Sequence, residues 1–358
     1  MKFNVLTETP RVGREYQHLE DLVFVNGSAG ALEAADILDQ LGNDTSDVSV
    51  KFDGNPTLYW GRNESGQFVL VGKNGWGRNM STSADDLYNF ITNTGTGEKW
   101  RKRFGADMSN IFAIIEQATP QDFRGYVYGD ILYHPGNSYK DTHNSVVFTP
   151  NKVTYTVRKS SNLGKRIISS EVAVVVHSQF DEFGSKVGTP VRNISALTTN
   201  SVVVLGPSYV THTPSVDLAE TDEIRAFASK YAKDIDMFLA PVTGLSNMKR
   251  IIYTYVNQTS KAKNLAQLDK GFFNWLNTSK VSTNKQAKIA NINEQMPKAL
   301  PAIFKLVVKV MKVKDHIIDQ LDSANTDVTA FTNGEQGGEG YVAQDSKIKL
   351  VPRTRWQP

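Results

Sequence analysis

At 358 residues, with 40% apolar and 22% charged side chains, the chain is longer than one typical domain and has the composition of a globular protein, which excludes disorder as its theme and predicts two units. The net charge of +3 names no partner, and zero cysteines exclude disulfides, thiol nucleophiles and Cys-ligated zinc. Six scattered histidines without HExxH spacing argue against transition-metal catalysis; no window is apolar enough for a membrane span and the start has no signal-peptide core, so a cytoplasmic monomer without a membrane partner is expected.

In chain order, AGALEAADILDQLG has apolar residues at helical spacing and predicts a helix over 29–41, with Gly42 as its stop. From Val48 to about Thr211 the texture is that of strands: KFDGNPTLYWGR, QFVLVGK, YVYGDILY, SVVFTPNKVTYTV, EVAVVVH and SVVVLG are β-branched or aromatic and bounded by turn residues. Residues 62–66 predict a hairpin loop. From about Pro214 to Asn325 the period becomes helical, with five helices expected in DLAETDEIRAFASKYAKDIDMFLA, SNMKRIIYTYVNQ, LAQLDKGFFNWLN, KQAKIANINEQM and PAIFKLVVKVMKVKDHIIDQLD. TNGEQGGEG, 332–340, is a glycine-rich connection, and YVAQDSKIKLVP closes the chain as a strand or hairpin.

Charge is distributed unevenly. Between Asn247 and Lys314 the only acids are Asp269 and Glu294, against thirteen bases that include Lys249, Arg250, Lys285, Lys288, Lys305, Lys309 and Lys312. Lysine-rich surfaces bind phosphates without reading sequence, so this block is the expected nucleic-acid interface.

In VSVKFDGNPTLYW, strand alternation would turn Val50 and Phe52 inward and set Lys51 and Asp53 together on the other face before a turn at Gly54-Asn55-Pro56. Alone, a strand end with an Asp-Gly turn accounts for KFDG. Further charges also fall where strands would hide them: Lys73 in KNG, Asp130 in YVYGDILY, Glu339 in EGYV, and Lys347 and Lys349 around Ile348.

In this order, KFDG (51–54), GD (129–130), EGYV (339–342) and KIK (347–349) resemble motifs I, III, IV and V of the covalent nucleotidyltransferases, the ATP-dependent DNA ligases, RNA ligases and mRNA capping enzymes. KNG at 73–75 resembles the short basic motif after the nucleophile strand, and LEDLVF, VKFDGNP and GKNGW resemble ligase-like proteins of large tailed bacteriophages, whose compartment would be the host cytoplasm. The resemblance covers residues 15–210 and 332–352. Two features depart from the pattern: motif III usually carries glutamate where this chain has Asp130, and about two hundred residues, not a few tens, separate motifs III and IV.

The resemblance implies an α+β fold with ATP-grasp-like antiparallel sheets, a nucleotidyltransferase core from 1–214 and 331–358, and an all-helical insertion at 215–330. It implies ATP as adenylate donor, with Mg²⁺, or Mn²⁺ in its place. Lys51 would attack the α-phosphate, Lys347 and Lys349 would neutralise its growing charge, and Asp53, Asp130 and Glu339 would hold the metal or the ribose. Val50, Gly54, Asn55 and Lys73 would line the nucleotide site, Gly54 leaving room for the phosphates. FTPNKVTYTV and AVVVHSQF compete for the adenine-contacting motif; the second is preferred, with His177 or Phe180 near the base. A free lysine is neutral only about four times in ten thousand at pH 7, so its neighbours must lower its pKa, a role expected of Lys347 and Lys349.

The chain ends nine residues after Lys349, without room for the OB-fold domain of capping enzymes and most DNA ligases, so capping is not expected, and Arg353 or Arg355 would stand in for part of that domain's role. RNA ligases commonly pair the core with a helical domain of their own, so the resemblance implies RNA, or a mixed RNA/DNA end, first and nicked DNA second. A non-catalytic nucleic-acid-binding accessory on the same fold is the reading of a different class, in which Lys51 would be dispensable.

Overall fold

A computed structural model describes residues 17–354 apart from 94–98, 190, 192, 193, 207, 243, 246, 263, 325, 326 and 333. The fold is mixed α and β, in two units each assembled from separate stretches of chain. The first takes in the residues up to Val50, Tyr209–Ala324 and those from Gly340 on; the second takes in Lys51–Ser208 and Asn325–Glu339.

The core of the first unit is organised by the helix Ala299–Ala324. Most of its surface is apolar, broken by one polar stripe through Lys305, Lys309, Lys312, His316 and Asp319, and Leu300, Ile303, Phe304, Val307, Val310, Ile317 and Leu321 are all buried. The helices Gly27–Leu41, Leu218–Leu239 and Leu268–Thr278 pack on it, and Met248–Lys261 and Thr283–Gln295 complete the set of long helices described there. Gly30 is required where the first of these begins, because a Cβ there would lie 2.0 Å from the Leu22 carbonyl oxygen. A small sheet closes the unit, in the order Gln17–His18, Ile348–Leu350, Tyr341–Ala343, Val48–Val50, with Val342 opposite both Lys349 and Ser49.

Within this core lies a buried charge network. Lys314 Nζ donates to Glu20 and to the Val351 carbonyl, each at 2.8 Å, and Arg353 donates to Glu20 at 2.5 Å and to Asp21. Lys314 and Glu20 have no exposed side-chain surface. Glu20 and Asp21 meet Lys314 and Arg353, with Asp315 3.8 Å from Lys314, so opposite charges offset much of the cost of burial.

The second unit contains two five-stranded sheets. One runs Val202–Leu205, Val172–Phe180, Gly125–Tyr133, Thr57–Arg62, Phe68–Gly72, its first pair parallel and the rest antiparallel. Alternation sends Leu58, Trp60, Phe68, Leu70, Val127 and Ile131 to one face, where Leu87 of the helix Ala84–Asn93 and Met108, Ile111 and Ile115 of the helix Lys99–Ala118 cover them. The other sheet is fully antiparallel: Glu335–Gln336, Val328–Thr332, Val153–Arg158, Ser145–Phe148, Lys140–Asp141.

The five late helices, the helix near 29–41, the 62–66 hairpin and the closing hairpin agree with the sequence reading. Three expectations are corrected. The stretch 48–211 holds the helices 84–93, 99–118 and Asn162–Ile168 among its strands. KFDGNPTLYWGR is not one strand, because Val48–Val50 pairs with Tyr341–Ala343 in the first unit and the ladder resumes only at Thr57 in the second; Lys51 and Asp53 lie in the connection. The helical block does not stand apart either: it shares a core with the N-terminal helix and the closing hairpin, and the chain divides at 50, 208, 324 and 339 where 214 and 330 were expected. No helix among the described residues is long and apolar enough to cross a membrane.

A lysine and carboxylate cluster as candidate active site

In the second unit the connection 51–56 lies along the strand Gly125–Tyr133. The Asn55 N–H donates to the Ile131 carbonyl at 2.8 Å, and the Ile131 N–H donates to the Pro56 carbonyl at 3.0 Å. Gly54 permits this contact, since a Cβ there would lie 2.5 Å from the Ile131 carbonyl oxygen and 2.8 Å from the Asp130 Cβ. The space beside Gly54 is therefore filled by strand backbone, which corrects its expected role of leaving room for phosphates.

This placement gathers charges from distant parts of the sequence. Lys51 Nζ donates to Glu339, the two side chains 21% and 18% exposed, although 288 residues separate them. The Asp53 N–H donates to the Tyr155 hydroxyl at 2.7 Å, and the Asp53 carboxylate accepts from the Asn151 amide. Asp130 accepts from the Thr57 hydroxyl at 2.6 Å and lies 3.0 Å from His177 Nε2.

The sheet itself aims the last pair. Thr57 is the register partner of Asp130, and pairing steps from Tyr128–Ser178 to Gly129–Val176, which leaves His177 as the extra residue of a β-bulge. Bulges re-aim side chains, and here the bulge brings an imidazole to a strand carboxylate. Gly129 is needed opposite it, where a Cβ would lie 2.4 Å from the Val175 carbonyl oxygen.

The carboxylates differ in electrostatics. Burial pushes the Asp53 carboxyl up to about 7, the Glu339 carboxylate pushes it the same way, and Lys51 only partly offsets them. Burial also acts upward on Asp130, but hydrogen bonds from His177 and Thr57 and the nearby positive charge outweigh it and hold that carboxyl below its ordinary value. Burial pushes the Tyr155 hydroxyl far up, so it stays protonated. The neighbours of Lys51 in this unit are carboxylates, where cations were expected to assist it.

An aromatic wall continues the same sheet. Tyr59 stacks on Trp76 at 4.2 Å and 12°, and packs on Tyr128 at 4.8 Å and Phe180 at 5.8 Å; Tyr128 in turn lies 5.3 Å from the His177 ring. Both competing stretches thus reach the neighbourhood: AVVVHSQF supplies His177 and Phe180, and FTPNKVTYTV supplies Asn151 and Tyr155, which the sequence reading did not assign.

Of the other expected site residues, Val50 is half-buried at its strand end, Asn55 is exposed, and Lys73 is exposed in the turn after Phe68–Gly72. Lys347 and Lys349 belong to the first unit. Lys347 is exposed with a left-handed backbone, φ 55°, and Lys349 is half-buried on its strand. Arg353 is buried in the charge network, which removes it as a replacement for a missing basic domain, and Arg355 lies outside the described residues.

Part of the basic block is engaged within the protein. Lys309 pairs with Glu223 at 2.5 Å, Lys312 with Glu220 at 2.6 Å, Lys249 donates to the Val25 carbonyl, and Lys305 stands 5.0 Å over the Phe227 ring. The imbalance counted from Asn247 onward ignored the acids of the helix Leu218–Leu239, which packs alongside. Arg250, Lys285 and Lys288 are half-buried. Among the described residues no three acidic or histidine side chains form a group that could hold a metal ion.

The chain belongs to a family of unknown function, DUF6267, whose family model matches residues 15–357. No curated protein and no solved structure matches it.

Proposed function

For this DUF6267 member we propose ATP-dependent polynucleotide ligation through a lysyl-AMP intermediate on Lys51, on RNA ends first and nicked DNA second, with the second unit as the nucleotidyltransferase core. One observation carries the reading: Lys51, Asp53, Asp130 and Glu339, picked out by motif order, lie in one cluster although they span 288 residues of sequence. Antiparallel sheets and an adjoining aromatic wall, suited to a nucleobase, support it further.

In this mechanism the Lys51 Nζ attacks the α-phosphorus of ATP. An N–P bond forms, the P–O bond to pyrophosphate breaks, and pyrophosphate leaves with the electron pair. Glu339, already in contact with Nζ, is placed to take the ammonium proton before attack. A terminal 5′-phosphate oxygen then attacks the adenylate phosphorus, the N–P bond breaks and Lys51 regains a proton. Finally a 3′-hydroxyl attacks the adenylated end, and AMP leaves. Asp53 and the Tyr155 hydroxyl fix the backbone beside the nucleophile, and the His177–Asp130 pair presents polar groups at the same edge.

Mg²⁺ would supply charge neutralisation on the polyphosphate. Asp53, Asp130 and Glu339 would offer the hard oxygen donors it prefers. Each of these carboxylates is engaged with a protein partner, so no coordination geometry is assigned.

The test is label transfer from [α-³²P]ATP. Covalent label on the wild type that survives denaturation and alkali but is lost in hot acid, as a phosphoramidate is, absent from Lys51→Ala and discharged by pyrophosphate, is expected; equal labelling of both proteins would refute Lys51 as nucleophile. Offering the labelled protein 5′-phosphorylated RNA and nicked DNA then separates the two substrates.

A further inference from the structure

The helix Lys99–Ala118 opens with Lys-Trp-Arg-Lys-Arg, and none of the functional assignments above uses this run. Its four bases fall within the first five residues, and the first acid of the helix is Asp107, about two turns along. Positive charge at this end opposes the helix macrodipole, which favours acids there. Helix stability therefore does not account for the run.

Trp100 provides a second, independent observation. Its side chain is 54% exposed, whereas Trp60 is buried and Trp76 and Trp275 are half-buried. The indole lies 6.3 Å from the Phe104 ring, and Phe104 and Met108 pack into the core under the sheet whereas Trp100 does not. The Arg101 guanidinium stands 4.7 Å over the ring, and Lys99, Lys102 and Arg103 are exposed around it. An exposed ring framed by cations is suited to a ligand that combines a flat π-face with closely spaced negative charge. Single-stranded nucleic acid has both, one base and one phosphate per step.

We infer that Lys99, Trp100, Arg101, Lys102 and Arg103 form a docking patch for single-stranded nucleic acid, with a base stacked on Trp100 and flanking phosphates held by the basic side chains. The choice of polyanion rests on the ligation reading. The need for such a patch is sharpened by the first unit, where Lys309 and Lys312 are matched by glutamates.

The test is fluorescence anisotropy of a labelled single-stranded RNA with the full chain, over a series of salt concentrations. Trp100→Ala should weaken binding about tenfold, with Trp100→Phe retaining most of it. Changing Lys99, Lys102 and Arg103 together to alanine should flatten the slope of log K against log salt by about 2. All these positions are exposed, and melting curves matching the wild type would establish that the variants fold. Unchanged affinity and slope in the variants would overturn the patch, as would patch-dependent binding to phosphatidylserine vesicles without binding to the oligonucleotide. Lys51→Ala should bind RNA like the wild type, and the patch variants should still form the lysyl adduct. Failure of the patch and failure of the nucleotidyl-transfer reading therefore give different results.

Discussion

Two lysine–glutamate pairs, one in each unit, show how the same two side chains serve different ends. Lys314 and Glu20 are fully buried, and Arg353 and Asp21 complete a set of two positive and two negative groups. Lys51 and Glu339 each keep about a fifth of their surface exposed, and their neighbours Asp53 and Asp130 add negative charge without a second lysine or arginine in the contacts described. A balanced, sealed set holds structure together. Burial raises a carboxyl to about 7 in both sets, Asp21 in the sealed one and Asp53 in the open one, so what separates them is that the open set can be reached from solvent.

Breaking the sealed pair should have the largest effect. Lys314→Met leaves Glu20 buried and short of a partner, and should cost about 3–5 kcal/mol in thermal or urea unfolding. Lys51→Met, at a partly exposed pair, should cost about 1 kcal/mol. Adding Glu20→Met to Lys314→Met should restore much of the loss, because Arg353 and Asp21 remain as a neutral pair. A double variant no more stable than Lys314→Met alone would show that the network is not organised as a charge balance.

The open cluster should reveal itself through pH. The Asp53 carboxyl is pushed up to about 7 from the ordinary 3.8 of aspartate, so its protonated form is the one folding favours. Its contribution to stability is full below the unfolded value and is lost as pH rises through the folded one. Asp53→Asn should therefore gain in melting temperature relative to the wild type between pH 5 and pH 8, and a difference that is flat or shrinks over that range would contradict a raised Asp53 carboxyl. Tyr155→Phe, which removes the acceptor for the Asp53 N–H, should cost about 1 kcal/mol by the same unfolding measurement.

The sequence made the two regions legible to different degrees. The helices of the first unit could be read because each carries its own 3.6-residue period, and Ala299–Ala324 is long and apolar enough to be seen without a partner. Lys314 could not be read as buried, because its partners lie 294 and 37 residues away and a charge count along the chain places it in a basic surface. The ion partners of Lys309 and Lys312 could not be read for the same reason: Glu223 and Glu220 sit on a neighbouring helix outside the window. In the second unit Lys51, Asp53, Asp130 and Glu339 were identified by motif order. The partners that fix them were not, since Thr57, Asn151 and Tyr155 become relevant only through sheet register and a turn. The helix Lys99–Ala118 was lost among strands although Phe104, Met108, Ile111 and Ile115 recur at helical spacing.

The most direct test of the central claim is the intact mass of the protein after incubation with ATP and Mg²⁺, for the wild type and for Lys51→Ala. The reading predicts a gain of one adenylyl group on the wild type, reversed by pyrophosphate and missing from the variant. A wild type that gains no adenylyl group even after any bound adenylate has first been discharged with pyrophosphate, or a variant that gains it equally, would contradict it.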